Sequence, residues 1–303
     1  MTTVSTQAFY DRFNLDMSGL RRRADGLQAA IGSGQRLGRS SDDPVAASRL
    51  RMLGSKDASA AIDLTIAARA SADLTLTDST LQSFAASVIR VKELATQAAN
   101  GILTAQQRAG IATEIDQISS ELVRLANSRD SAGHALFGGE TAGDAYAVDG
   151  LGNVSYIGTA SAGELPLGDG QKVTRSLTGP EFLNFTAAGL PTDLFAVVKD
   201  LAAALVTGTD PAQSARDAMG SLDVGLETIT TRQTVVGTRL NWIDLNVERQ
   251  TQMAELRSQE EADVGGTDLS EAVSKLQQTM TVLEASQASF ARLSALSLFD
   301  FLR

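Results

Sequence analysis

Between Ala215 and Val247, ten positions follow one another at alternating spacings of four and three without a slip. They are Ala215, Met219, Leu222, Leu226, Ile229, Gln233, Val236, Leu240, Ile243 and Val247. Such a stripe runs along one side of a helix and is buried only against other helices of comparable length. The chain must therefore supply long helices that pair. One seam residue, Gln233, is polar, a device that sets register at some cost in stability. Aromatic residues make up only 5% of the chain, which suits small-residue helix packing better than a sandwich or a doubly wound sheet.

The first half of the chain contains matching helices. From Pro44 to about Asn100 the pattern stays helical with no further proline, and Leu74, Leu81, Val88 and Ala95 form one row flanked by Phe84 and Val91. At about 1.5 Å per residue that helix is roughly 80 Å long, a rod rather than a globule. Asn100 and Gly101 stop it, and Thr104 with Gln107 forms a capping box for the next helix. That helix carries Ile111, Ile115, Ile118, Leu122 and Leu125, and the short link predicts an antiparallel return. After residue 191, Thr192 is the expected N-cap of a short helix bearing Leu194, Val198, Leu201 and Leu205, which Gly208 closes. Asp210 and Pro211 then start the helix of the ten-position seam.

The two chain ends share one grammar. Tyr10, Met17, Ala24 and Ile31 form one seven-residue row, and Phe13, Leu20 and Leu27 form a second, in a helix predicted from about Thr6 to Ile31. From Asp268 to Arg303 a second helix carries Leu269, Val273, Leu276, Met280, Leu283 and Phe290 on one stripe, with Asp268 as N-cap and Glu271 in capping-box position. Leu298, Phe299 and Phe301 lie near its end. The two terminal segments are expected to pair with each other, with neighbouring copies, or with both. Arg21, Arg22 and Arg23 read as a solvated helix face.

Between the helical blocks, residues 139–191 are rich in glycine, short alternating runs and turn dipeptides such as Asp149-Gly150 and Asp169-Gly170. They predict a small insert of β-hairpins. The expected fold is mainly α: a long antiparallel helical rod, coiled-coil-like, formed by both chain halves, with a β-rich insert at the far end. The expected divisions are 1–34 with 267–303 (terminal coiled coil), 35–138 with 192–266 (rod) and 139–191 (insert).

Little in the chain points to chemistry. The formal charge of −10 disfavours a partner bound through phosphates. There is no cysteine and a single histidine, His134, which reads as a turn residue. Asp42 and Asp43 precede Pro44 and read as a helix cap rather than a carboxylate pair. Asp144, Asp149, Glu164 and Asp169 in the insert lack the spacing of a calcium loop. No cofactor or metal is expected. The first residues lack the pattern of a cleaved signal peptide, and no run of eighteen apolar residues is present.

Several phrases carry a family resemblance. A helix ending at Ser33-Gly34, followed by Arg36-Leu37 and then Asp42-Asp43-Pro44, resembles the N-terminal signature of the bacterial flagellin family. So do the phrase from Glu93 to Asn100-Gly101, the phrase Glu114-Ile115-Asp116-Gln117, and Val236-Gly237-Thr238-Arg239-Leu240-Asn241. Phe137-Gly138-Gly139 and the ending Leu298-Phe299-Asp300-Phe301-Leu302 are similar to the branch of that family that joins hook to filament. The resemblance covers both ends and most of both helical blocks, but not the insert.

It implies a structural subunit without enzymatic activity, located in the extracellular flagellum and exported without signal cleavage. Its implied partners are other copies of itself, the hook-associated protein next to the hook, flagellin, and an export chaperone on the C-terminal segment, with no nucleic acid and no membrane insertion. The implied alternative is a filament subunit. A surface-displayed hydrolase with its site in the insert, and a soluble coiled-coil adhesin, are more distant readings.

Overall fold

The computed structural model describes residues 6–300, with side-chain burial described for 8–292. The elements in chain order are α1 (Thr6–Ser33), α2 (Pro44–Ala98), α3 (Ala105–Ala126), β1 (Tyr146–Val148), β2 (Val154–Tyr156), β3 (Glu164–Gly168) and β4 (Gln171–Thr174). They continue with α4 (Gly179–Leu183), β5 (Asn184–Ala187), β6 (Leu190–Asp193), α5 (Leu194–Thr207), α6 (Pro211–Gly265) and α7 (Leu269–Asp300). The mainly α class with a small β insert is borne out. Contacts divide the chain into two compact units: the two chain ends up to Ser59 and from Gln252, and the continuous stretch Ala60–Thr251.

The helices begin where side chains take over the first free backbone donors. Asp43 accepts from the Ala46 N–H at 3.0 Å and Asp210 from the Gln213 N–H at 3.0 Å. At α3 the capping box is complete, with the Thr104 hydroxyl accepting from the Gln107 N–H and the Gln107 side chain accepting from the Thr104 N–H. Thr104→Ala should therefore cost about 1 kcal/mol, read as a lower urea midpoint with an unchanged slope. No shift would mean that Gln107 alone secures this end. At α7 only half of the expected box forms. Asp268 accepts from the Glu271 N–H, but the Glu271 carboxylate pairs with Lys275 at 2.9 Å instead. The N-cap of α5 is Asp193, not Thr192, because β6 continues through Thr192 and Asp193 accepts from the Ala196 N–H.

In the unit of residues 60–251, α3 runs back along α2, and Arg90 meets Glu114 at 2.6 Å, each a similar distance from the link. Helices α2 and α6 are antiparallel there. Lys92 pairs with Asp223, Thr96 touches the Met219 sulfur, and Arg216 donates to the Ala99 carbonyl, so one number rises as the other falls. Leu74, Leu81, Val88 and Ala95, with Phe84 and Val91, are wholly buried. On α6 every other seam position from Ala215 to Ile243 is buried, and the alternate ones are half-buried. The seam faces inward along its whole length.

The insert is three separate two-stranded hairpins rather than one sheet. Asp169 and Gly170 both take positive φ (49° and 75°), the type I′ turn that Asp-Gly favours. Ala188 and Gly189 do the same for β5 and β6 (51° and 81°), without that signature in the sequence. The hairpins pack on the helical core through Tyr146, Leu167 and Val173, and the short helix α4 does so through Phe182. A polar ladder on α6 fastens the stretch between them. Arg232 donates to the Glu181 carbonyl, Arg239 to Ser176 and Gln250 to Leu167, so the insert backbone descends antiparallel to α6.

Phe137 closes this core. Its ring lies 4.8 Å from Phe182 and 6.2 Å from Phe84, and Phe84 and Phe182 are 5.2 Å apart. Gly139 follows at φ 72°, where a Cβ would stand 2.6 Å from the Ser161 carbonyl oxygen and overlap the Thr159 hydroxyl. Phe137-Gly138-Gly139 is thus a core plug and a tight turn.

Candidate assembly surface

In the unit formed by the two chain ends, α1 and α7 lie antiparallel. Phe13 stacks on Phe290 with ring centroids 3.9 Å apart and planes 7° from parallel, and Tyr10 meets the edge of Phe290 at 5.3 Å. Both predicted rows of α1 turn toward α7 or its flanks. Met17 and Ala24 are buried, and Tyr10, Phe13, Leu20, Leu27 and Ile31 are half-buried.

On α7 the expected stripe is displaced. The residues turned inward are Ala272, Leu276, Thr279, Leu283, Ser286 and Phe290, also spaced four and three. Leu269, Val273 and Met280 stand 53%, 41% and 42% exposed. The choice of row for the contact with α1 has a physical reason. Ala272, Thr279 and Ser286 are small, so placing them inward lets α1 approach closely, while the larger alternate residues are left outside. Of the predicted positions, Leu276, Leu283 and Phe290 belong to both rows. The side chains of Leu298 and Phe299, and the whole of Phe301, lie outside the described residues.

Other exposed apolar residues of the two terminal helices lie off this row. Val282 is 50% exposed on α7, and Phe9 and Leu15 are 46% and 69% exposed on α1. Phe9 and Val282 flank a groove of about 350 Å³ beside Phe13 and Phe290. A four-three pattern finds one row at a time, and these residues fall off it. Burying a Leu, Val or Met fully is worth about 1.5–3 kcal/mol each, and a lone helix pair leaves that gain unclaimed. Arg21, Arg22 and Arg23 are exposed, as a solvated face requires.

The stretch from Ser33 to Pro44 has a role the sequence did not reveal. Gln35 forms an antiparallel bridge to Gly266, Thr267 donates to the Gly34 carbonyl at 2.9 Å, and Arg36 N–H donates to Gly265 at 2.8 Å. The Arg36 guanidinium reaches both the Asp43 carboxylate (3.3 Å) and the Val264 carbonyl (2.9 Å). The motif thus sews the α1–α2 connection to the α6–α7 connection. Backbone donation from Ala46, followed by the Arg36 side chain, holds the Asp43 carboxyl below its ordinary range. Asp42 accepts from the Arg39 N–H within the loop. Both carboxylates are occupied with local structure. Asn100 and Gly101 follow α2 as a solvent-exposed turn.

The acidic residues of the insert do not converge. Asp144 pairs with Arg129, Glu164 with Lys172, Asp149 ties its own loop and Asp169 sits in a turn. Among the described residues no group of three or more His, Cys, Asp or Glu is placed to hold a metal ion. No helix among them is long and apolar enough to cross a membrane. His134 lies in the loop after α3, and its N–H donates to Asp130.

Residues 4–142 match the family model described as the bacterial flagellin N-terminal helical region. Across 89% of this chain and 90% of the relative, the sequence is 26% identical to flagellar hook-associated protein 3 of Escherichia coli K12. In fold it is similar to a putative flagellar hook-associated protein from Vibrio parahaemolyticus, with a TM-score of 0.69 and 22% identity over 74% of this chain and all of that one. Hook-associated protein 3 from Legionella pneumophila gives 0.64 at 13% identity over 71% of this chain and 98% of that one.

Proposed function

We infer that this chain is a member of the bacterial flagellin family and a structural subunit of the flagellum that joins the hook to the filament. The observation that carries the reading is the second apolar row of α7. Leu269, Val273 and Met280 face solvent beside a row already committed to α1. A subunit that stands alone gains nothing from that row. A subunit packed among copies of itself buries it. The near full-length similarity to hook-associated protein 3 supports the junction over the filament as the place where this happens.

The subunit acts by geometry and not by catalysis. Its terminal helices would pack with those of neighbouring copies, the hook-associated protein beside the hook would meet one axial side, and flagellin the other. Export without signal cleavage, with a chaperone on the exposed row of α7 until assembly, fits the same surface.

The test is seeded assembly followed by electron microscopy. Purified protein added to isolated hook ends should form a short, self-limiting segment from which flagellin then grows. Long filaments grown from flagellin seeds would make this a filament subunit and overturn the junction reading. Val273→Asp combined with Met280→Asp should reduce addition at least tenfold while leaving the circular dichroism unchanged, because both side chains are exposed in the free subunit. Normal addition by that variant would remove the α7 row from the assembly surface.

A further inference from the structure

Two apolar features of the unit of residues 60–251 have no use within the subunit. The first is a knob. Leu151, at the tip of the β1–β2 hairpin, is 81% exposed, and Val148 and Ile157 beside it are exposed as well. The loop that presents it is held rigid. The Asp149 carboxylate accepts from the N–H groups of Leu151 and Asn153, each at 2.8 Å, and from the Asn153 amide at 2.7 Å. Lys199 on α5 reaches across to the Leu151 carbonyl at 2.8 Å and the Asn153 side chain at 2.6 Å. Ordering a loop costs conformational entropy, and here the ordered residue buries nothing in return. A rigid backbone presenting an aliphatic side chain to solvent is the arrangement of a preorganised binding anchor.

The second feature is a hole. A groove of about 460 Å³ opens between α5, α6 and the β5–β6 hairpin. Leu190, Val197, Leu201, Ala204 and Ala218 line it, with Ser221 beside them, so small side chains leave room for a branched aliphatic one. Asp200 and Asp217 stand at the same groove. Knob and hole lie on opposite flanks of one helix. At 100° per residue, Lys199 points roughly 165° away from the mean direction of Val197, Leu201 and Ala204 around α5.

We propose that Leu151 of one copy seats in this groove of the next, a head-to-tail contact that passes laterally from subunit to subunit. A projecting apolar residue and a complementary pocket on different faces of one molecule make a heterologous contact, which propagates and closes into a ring where the rotation allows. The choice of a second copy over another partner follows from both halves being present on one compact unit. The groove carries Asp200 and Asp217, and the hairpin tip brings one charge of each sign, the Asp149 carboxylate and the Lys199 ammonium, of which Lys199 is the group that would meet the two aspartates. The proposal rests on the assembly reading above and names one lateral contact within it.

The chain has no cysteine, so engineered thiols report cleanly. Leu151→Cys combined with Ser221→Cys would be added to isolated hook ends, oxidised, and run on a non-reducing gel, with each single variant in parallel. The expected result is a ladder of covalent multimers from the double variant and no ladder from either single one. Addition at the hook ends without a ladder would overturn this contact and leave the junction reading standing. Failure of the unmodified chain to add at hook ends, together with no ladder in concentrated solution, would overturn both.

Discussion

Phe137→Ala should lower the unfolding free energy of the unit of residues 60–251 by about 3–5 kcal/mol. The ring is fully buried and meets Phe84 and Phe182 within 6.2 Å, so its removal loses transfer energy, leaves a cavity and breaks two aromatic contacts. The surroundings are poorly able to collapse into that space. Gly179 donates to the Phe137 carbonyl at 2.9 Å, and Gly138 and Gly139 are packed tightly on either side of the turn. The single tryptophan, Trp242, lies in the same unit and is 40% exposed, so its fluorescence through a urea titration reads the effect. A loss below about 1 kcal/mol would show that the cavity is refilled and that the aromatic cluster is not a keystone.

Arg175→Leu should have a cost of similar size, about 3–5 kcal/mol at neutral pH, because it strands a buried charge. Asp130 is 8% exposed, and its carboxylate pairs with the Arg175 guanidinium while accepting from the N–H groups of Ala132 and His134. Burial pushes this carboxyl up, but the backbone donors of His134 and Ala132 and the Arg175 charge more than offset it, so it lies below the ordinary value. A depressed carboxyl contributes stability above its unfolded pKa, and that contribution is lost as pH falls through the folded value. The difference between the native protein and the variant should therefore be full at pH 7 and narrow in acid, below about pH 4.

Asp73, on α2, behaves oppositely. Burial and then the nearby Asp130 charge raise its pKa, against smaller opposing contributions from Arg175, Arg69 and His134. It opposes folding at neutral pH and is relieved as pH falls through its raised value. Asp73→Asn should therefore stabilise at pH 7 and change little in acid. A pH-independent gap for Arg175→Leu would mean that lost packing, not the stranded charge, sets the cost.

The architecture was legible because its helices are long and strictly periodic. The ten positions from Ala215 to Val247 all face inward, as do Leu74, Leu81, Val88 and Ala95 on α2. Caps built from Asp43, Thr104 and Asp210 act through neighbours three residues away, so local spacing reveals them. Contacts between distant segments could not be read in this way. Arg36 finds the Val264 carbonyl, and Arg239 finds Ser176, across the chain. An arginine outside the apolar pattern looks the same whether it meets water or a carbonyl.

The terminal surface was half legible. Period alone identified a row on α7 but not which of two adjacent rows meets α1, because Thr279 and Ser286 resemble solvent residues until a closely approaching helix covers them. The turn at Ala188-Gly189 was hidden for a different reason. Alanine carries no signature for the left-handed region, and the fold imposes that conformation on it.

The overlap of the two α7 rows bears on how such a chain can change over generations. Leu276, Leu283 and Phe290 serve both rows, whereas Ala272, Thr279 and Ser286 serve only the inner one and Leu269, Val273 and Met280 only the outer. Drift at the last three could retune affinity for neighbours without unpairing the ends. Drift at the shared three alters both partnerships at once. Divergence toward a new neighbour therefore has an open route through Leu269, Val273 and Met280, and a nearly closed one through Leu276, Leu283 and Phe290.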